Sequence, residues 1–176
     1  MLYSVRTLRR RGPPAASTIL RSAAMAKRSA GILMYRRGHS GLELLLVHPG
    51  GPFWAKKDLG AWSIPKGEYA DDEEPLAVAK REFAEETGAA PRGDFRPLGD
   101  VTQPGRKVVT AFAVEGDFDP ETLTSNTFEL EWPPKSGRKT SFPEIDRAEW
   151  FSPEAARQKI LSGQREFIDR LLKAVG

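Results

Sequence analysis

The chain has 176 residues, of which 39% are hydrophobic, so it can bury one sizeable core but hardly two. It contains no cysteine, which excludes disulfides, thiolate metal sites and cysteine nucleophiles, and its two histidines argue against a zinc site built from several imidazoles. No apolar run approaches the length of a transmembrane helix, so no membrane partner is expected.

The net charge of +3 comes from the first 24 residues, which contain five arginines and no acidic residue. After position 24 the chain has 22 basic and 24 acidic residues, a net charge of −2, so nucleic acid is not expected as a partner. Residues 1–24 are predicted to be a disordered basic extension, and residues 25–176 a single domain. Their Arg-, Ser- and Ala-rich composition also fits a transit peptide, or sequence upstream of a true start at Met25. The absence of cysteine favours a cytoplasmic location, and a transit peptide would make it organellar.

In chain order, the first elements are two apolar stretches separated by a turn-prone sequence, Arg37–Gly41, and they predict a β-hairpin. The two strands are Gly31–Tyr35 and Leu42–Val47. The Pro- and Gly-rich stretch His48–Gly60 is predicted to be a loop, in which His48 has no partner close in sequence and is expected to be an ordinary loop residue. Ala61–Ile64 then leads into a fixed loop that Pro65 and Gly67 impose.

A helix is predicted next, beginning near Pro75, because proline is tolerated in a first turn, with Asp71 or Asp72 as the N-cap. Gly88 is placed to end this helix in a left-handed conformation. Apolar residues at steps of three and four predict one buried flank. They are Leu76, Ala79 and Phe83.

Beyond the helix, Asp117–Ser125 is predicted to be a polar connection, and Pro133–Thr140 a loop. The predicted strands are Phe95–Gln103, Val108–Val114, Thr127–Trp132 and Asp146–Phe151. Pro153–Lys173 is predicted to be mostly helical, with Ser162-Gly163 as a candidate interruption. Strands on both sides of a central helix, followed by a terminal helix, predict an α/β fold with a mixed sheet between helical layers.

Three carboxylates, Glu82, Glu85 and Glu86, lie within one narrow stripe of the predicted helix. Like charges at this spacing repel each other, and a hard divalent cation such as Mg²⁺ relieves that repulsion. An ordinary charged surface helix would explain the acids, but not the glycines and the arginine at defined offsets from them.

The stretch Gly67–Ala89 reads GEYADDEEPLAVAKREFAEETGA and resembles the complete Nudix box. Its fixed positions are Gly67, Glu73, Arg81, Glu82, Phe83, Glu85, Glu86, Gly88 and Ala89. The resemblance implies a Nudix-like α/β/α sandwich with a mixed central sheet. It also implies a metal-dependent hydrolase that cleaves a phosphoanhydride bond in a nucleoside polyphosphate.

The resemblance further implies roles for individual residues. Glu82, Glu85 and Glu86 would bind Mg²⁺ or Mn²⁺, and the Gly67 carbonyl would contribute a ligand. Arg81 would orient a box glutamate, with Glu73 as its partner. One of the glutamates would activate water, and the sequence does not single one out. A further metal-binding glutamate often precedes a tryptophan in the late strand, and here Glu144 lies six residues before Trp150.

For the substrate, Trp54 and Trp62 are candidates to stack on a base, and Lys66 and Lys107 to meet phosphates, with core or surface packing as the alternative for each. Three further cations, Lys135, Arg138 and Lys139, are expected in a solvated loop, with a second phosphate-facing cluster as the alternative.

The stretch WSIPKGE is similar to Nudix enzymes that cleave diadenosine tetraphosphate, so a dinucleoside polyphosphate is the predicted substrate. Two features oppose this prediction. Arg106 stands where the diadenosine tetraphosphate hydrolases commonly have a tyrosine, and the position of Pro104 resembles that of a proline in Nudix enzymes that hydrolyse ADP-ribose. The alternatives are an ADP-ribose or NTP pyrophosphohydrolase, an RNA 5′ pyrophosphohydrolase and a non-catalytic nucleotide-binding module. The sequence carries no indication of the oligomeric state.

Overall fold

The computed structural model describes residues 26–176, so the predicted disordered extension at 1–24 lies outside the described residues. The eight strands are β1 (Arg28–Gly38), β2 (Gly41–Pro49), β3 (Lys66–Tyr69), β4 (Arg96–Gln103), β5 (Lys107–Glu115), β6 (Thr127–Glu131), β7 (Lys139–Pro143) and β8 (Ile145–Phe151). The α-helices are α1 (Pro75–Thr87), α2 (Pro153–Lys159) and α3 (Arg165–Val175). Short 3₁₀ turns lie at Pro120–Thr122 and Ser162–Gln164.

Six strands form the main sheet, in the order β4-β5-β1-β2-β8, with β3 paired to β1. The β1–β5 pair is parallel and the other pairs are antiparallel, so the sheet is mixed. One apolar cluster contains Phe83 of α1 and one face of β1, and a second contains Phe167 of α3 and the opposite face. The prediction of an α/β fold with a mixed sheet between helical layers is therefore confirmed. In residues 26–176, no helix is long and apolar enough to cross a membrane.

Strand β1 changes partner along one edge. Residues 35–38 of β1 pair with β2, whereas residues 28–31 pair with β3. A Cβ at Gly31 would lie 2.5 Å from the Pro65 carbonyl oxygen, so the chain can approach β1 closely only where a glycine is present. The segment that carries Pro65 and Gly67 was predicted as a loop, and β3 begins inside it because its backbone hydrogen-bonds to β1.

Helix α1 begins with Pro75 in its first turn and ends at Gly88, whose φ of 83° is left-handed, and both agree with the predictions. The predicted N-cap was wrong: Glu74 caps the helix, since its carboxylate accepts hydrogen bonds from the backbone N–H groups of Leu76 (3.0 Å) and Ala77 (2.7 Å). On the predicted flank, Ala79 and Phe83 are buried and Leu76 is partly buried. The buried residues of α1 also include Val78 and Thr87.

In the second half of the chain, one prediction needs correction and one is confirmed. The predicted loop Pro133–Thr140 ends earlier, because Lys139–Pro143 forms β7 and pairs antiparallel with β6 in a separate two-stranded sheet. The predicted interruption of the terminal helix is confirmed, at Ser162–Gln164. The β6–β7 hairpin lies immediately before β8, so its last residues lead directly to Glu144.

Candidate functional site

The acidic stripe of α1 faces β3. The Glu86 carboxylate accepts a hydrogen bond of 3.2 Å from the backbone N–H of Lys66, the first residue of β3. A Cβ at Gly67 would lie 2.0 Å from the Glu82 carboxylate, so only glycine permits this contact. Gly67 and Glu82, 15 positions apart in sequence, are thus brought into contact by the packing of α1 on β3.

Arg81 lies beside the carboxylates and contacts three of them. Its guanidinium donates to Glu73 at 2.8 Å and to Glu82 at 3.4 Å, and lies 4.0 Å from Glu85. The predicted pairing of Arg81 with Glu73 is therefore present. Because Glu73 and Arg81 hold each other, the guanidinium is kept next to Glu82 and Glu85.

Burial and mutual repulsion dominate the electrostatics of this cluster. Burial raises the pKa of Glu86 to about 8, the Glu82 and Glu144 carboxylates contribute in the same direction, and the charge and backbone N–H of Lys66 oppose them. Burial also raises the pKa of Glu82, with contributions from Glu85 and Glu144, against the opposing effect of Arg81. The cluster therefore carries negative charge that its own cations do not balance.

Glu144, which lies between β7 and β8, joins the cluster from the C-terminal half of the chain. Its backbone carbonyl accepts a 2.9 Å hydrogen bond from Gly50, and its backbone N–H donates to the Asn126 carbonyl at 2.8 Å. These bonds fix Glu144 between the loop that follows β2 and the start of β6. The structure thus brings this predicted residue to the box glutamates, 58 residues from Glu86 in sequence.

A cavity of about 210 Å³ opens between β2, β3 and β8, next to these carboxylates. Its polar lining includes Glu86, Glu144 and Lys66, and burial lowers the pKa of the Lys66 ammonium. Its largely apolar lining consists of Val47, Pro49, Trp54, Ala61, Ser63, Ile64, Ile145 and Leu161. Apart from Trp54, none of these residues is recognisable as part of a site from the sequence, because positions from distant segments line the cavity only after folding.

Of the four residues predicted to contact substrate, two line this cavity, namely Lys66 and Trp54. Trp62 does not: its side chain is 1% exposed, and its ring N–H donates to Asp58 at 2.9 Å. Lys107 is not in the lining either, and its ammonium pairs with Glu68 at 3.2 Å. Trp62 is therefore a core residue, and its predicted stacking role is wrong.

His48 was also misjudged from sequence. It is fully buried at the end of β2, and each ring nitrogen lies 2.7 Å from an acceptor oxygen, on Asp146 and on the Lys57 backbone carbonyl. Both contacts are hydrogen bonds when the ring carries a proton on each nitrogen. The histidine thereby ties the loop that carries Trp54 to β8, through partners that are 98 and 9 positions away.

The donor set fits a hard divalent cation. Carboxylate and carbonyl oxygens are the ligands that Mg²⁺ and Mn²⁺ prefer, and a cation would offset the burial and the mutual repulsion that raise the pKa of Glu82 and Glu86. The tight packing of Gly67 on Glu82 places the backbone of Gly67 beside these carboxylates. Within residues 26–176, no three acidic or histidine side chains already converge as a closed ligand group.

The family model of the NUDIX domain matches residues 25–171. Among curated proteins, no sequence matches this chain. Solved structures similar to this chain include C. elegans Ap4A hydrolase in a binary complex, with 17% identity, a TM-score of 0.58, and coverage of 84% of this chain and 97% of the hydrolase chain.

Two other similar structures have different partners. The NUDIX domain of Shewanella oneidensis NrtR, complexed with ADP ribose, is 15% identical, with a TM-score of 0.58 and coverage of 86% of this chain and 90% of the NrtR chain. The C-terminal domain of mouse MUTYH, in complex with human PCNA, is 16% identical, with a TM-score of 0.56 and coverage of 85% and 90%. At these identities the comparisons establish the fold.

Proposed function

Since the chain belongs to the NUDIX family of pyrophosphohydrolases, as the match over residues 25–171 shows, we propose that it hydrolyses a dinucleoside polyphosphate with Mg²⁺ as its cation. The observation that carries this proposal is the arrangement around the cavity. Glu86, Glu144, Lys66 and Trp54 all belong to the lining of this one cavity. Carboxylates that can bind Mg²⁺, an ammonium group that can bind phosphate and an aromatic ring that can stack on a base thus lie together.

The chain's own residues would divide the work as follows. Glu82, Glu85, Glu86 and Glu144, with the Gly67 carbonyl, would hold the cation. When bound, Mg²⁺ neutralises charge on the phosphate oxygens and orients a water for in-line attack. Lys66 lies in the cavity lining and binds a substrate phosphate.

The remaining contacts prepare the site. Glu73 keeps the Arg81 guanidinium against Glu82 and Glu85, so those carboxylates stay on the same side of α1. The apolar part of the cavity lining provides surroundings of low polarity, in which electrostatic interactions are stronger than in water. Trp54 has the Lys57 ammonium 4.6 Å from its ring centroid, and the bond from His48 to the Lys57 carbonyl keeps that segment in place.

The dinucleoside assignment is supported by Lys66, which precedes Gly67 in sequence and lies in the cavity lining. ADP-ribose hydrolysis is the second candidate. Pro104, the residue that suggests it, is exposed in the turn between β4 and β5 and does not line the cavity. The fold does not choose between them, since the Ap4A hydrolase and the ADP-ribose complex have the same TM-score, 0.58.

The test is product analysis by anion-exchange chromatography after incubation with diadenosine polyphosphates, ADP-ribose, nucleoside triphosphates and 5′-triphosphorylated RNA, with and without Mg²⁺. We expect Mg²⁺-dependent cleavage with the highest kcat/KM for a diadenosine polyphosphate. Glu85→Gln and Glu86→Gln should each lower kcat by about 100-fold or more, because each removes a charged oxygen ligand. Glu121→Gln, at an exposed glutamate outside the cavity lining, is the matched control and should keep full activity.

Higher kcat/KM for ADP-ribose, a triphosphate or RNA would reject the dinucleoside assignment and keep the hydrolase. Tight nucleotide binding without any turnover, in wild-type protein with Mg²⁺, would instead identify a binding module.

A further inference from the structure

A pair of aromatic side chains, one exposed and one partly buried, lies outside the catalytic cluster, and we call it the aromatic platform. It consists of Phe53, in the loop after β2, and Trp132, at the end of β6. Their ring centroids are 5.7 Å apart, with the rings at 84° to each other. The Phe53 side chain remains 60% exposed, although a large apolar ring gains free energy from burial. The cavity lining does not include either ring.

Cationic side chains accompany the platform. The backbone N–H of Trp132 donates to the Arg138 carbonyl at 2.9 Å, so these two residues lie opposite each other at the end of the hairpin. Directly opposite residues of an antiparallel pair project to the same face, so the Arg138 and Trp132 side chains leave the same face of the hairpin. Lys135 is exposed in the turn between them. In the described part of the chain, neither Lys135 nor Arg138 takes part in an ion pair.

The platform is connected to the candidate catalytic site at both of its residues. Phe53 is followed directly by Trp54, which lines the cavity, and the hairpin that carries Trp132 ends at Glu144. Along β7, the six residues from Arg138 to Glu144 span about 20 Å. Packing of the Phe128 ring against Gly51, where a Cβ would meet that ring at 2.9 Å, holds the hairpin against the loop. A ligand that reaches from the carboxylates to the platform must therefore be long.

We propose that the aromatic platform is a second nucleobase subsite, which stacks the distal base of a dinucleoside polyphosphate while Arg138 and Lys135 contact its phosphates. This inference rests on the proposed function and assigns the hairpin a part in it. A base offers the platform a flat aromatic face, and the polyphosphate supplies the negative charge that unpaired cations attract. A mononucleoside substrate with its base in the cavity has no second base for the platform.

The test compares two substrates that differ only in the second nucleoside, diadenosine tetraphosphate and adenosine tetraphosphate. The variants are Trp132→Ala and Phe53→Ala, and the matched control is Leu59→Ala, which removes the other exposed large hydrophobic residue among residues 26–176. We expect each platform variant to raise KM for diadenosine tetraphosphate about tenfold, because base stacking on an aromatic ring is lost. Its kcat, and both constants for adenosine tetraphosphate, should stay at the wild-type values.

A second substitution separates stacking from folding. Trp132→Phe keeps an aromatic ring, so its KM for diadenosine tetraphosphate should stay close to the wild-type value. Arg138→Ala should raise KM for the same substrate although both rings remain. If the platform variants impair both substrates equally, or neither, the subsite is rejected and the proposed function stands. If wild-type protein hydrolyses neither tetraphosphate, both proposals fail. Sedimentation that shows a dimer dissociating on loss of Phe53 would assign the platform to self-association and overturn the subsite.

Discussion

At the scale of single residues, Glu86 combines several opposing interactions. Its carboxylate accepts the backbone N–H of Lys66, and yet it is buried beside Glu82 and Glu144. The hydrogen bond and the nearby ammonium favour the charged form, whereas burial and the neighbouring carboxylates favour the protonated form, and the second effect is larger because the pKa rises to about 8. Metal-free protein therefore keeps a proton on Glu86 at neutral pH, and a cation must displace it.

This predicts that Mg²⁺ affinity rises with pH, because the proton and the cation compete for Glu86. Between pH 6 and the pKa of about 8, affinity should increase by up to about tenfold per pH unit and then level off. Calorimetric titration with MgCl₂ in buffers of different ionisation enthalpy counts the protons released. Glu86→Gln should release about one proton fewer at pH 7, and an unchanged proton count would contradict this.

The raised pKa of Glu86 also makes the folding stability depend on pH. Folded Glu86 holds a proton that the unfolded chain has lost above the ordinary pKa of 4.5, so the metal-free protein loses stability as pH rises from about 4.5 to about 8. Binding of the cation opposes this loss, since it stabilises only the folded form.

At the scale of elements, α1 shows how capping is decided. Four acidic residues, at positions 71–74, precede Pro75, and the helix is capped by the last of them, since only the Glu74 carboxylate accepts from the N–H groups of Leu76 and Ala77. Glu73 instead accepts from the Ala70 N–H at 3.0 Å and from Arg81. Glu73 thus stabilises the turn before the helix, and Glu74 caps the start of the helix.

Glu74→Ala should therefore lower the free energy of unfolding by about 1 kcal/mol, because two backbone N–H groups lose their acceptor. Asp72→Ala is the matched control and should change stability by less than about 0.5 kcal/mol, as is usual for an exposed residue without such a role. Urea denaturation followed by circular dichroism measures both. A larger loss for Asp72→Ala than for Glu74→Ala would show that the helix begins earlier.

At the scale of the whole molecule, the C-terminal part of the chain holds the segment Ala61–Ile64, which leads into the box. Gln164 is fully buried, and its side chain accepts from the Ile64 N–H at 3.1 Å and donates to the Ser63 hydroxyl at 3.1 Å. The Trp62 carbonyl accepts from Leu161 at 2.8 Å in the same region. Since Ser63, Ile64 and Leu161 line the cavity, the end of the chain helps to shape the candidate site.

Replacing Gln164 with Ala should lower the free energy of unfolding by about 2–4 kcal/mol, because a buried N–H is left unpaired and a cavity forms. Gln158→Ala, at an exposed glutamine in α2, is the control and should cost less than about 0.5 kcal/mol. Chemical denaturation of both variants gives the comparison. Equal stabilities would mean that the segment near Gln164 contributes little to holding Ile64.

Local patterns in the sequence predicted the helix of the box, its glycine end, the first hairpin and the mixed sheet. They did so because helical spacing, proline and glycine act over a few residues. The same patterns did not distinguish Trp54 from Trp62, which are eight positions apart in one segment. Trp54 lines the cavity and Trp62 lies in the core, since Asp58, His48 and Phe151 surround the second ring.

The sequence alone determined the family and the acidic stripe of α1, because both are encoded within one stretch of 23 residues. Only the tertiary structure decided what stands opposite that stripe. It brings Glu144 close to Glu86, His48 to Asp146 and Trp132 to Phe53. These pairs are so far apart in sequence that residue spacing does not predict their proximity. Such contacts depend on which strand pairs with which, and that choice is made by burial of the two apolar faces of the sheet.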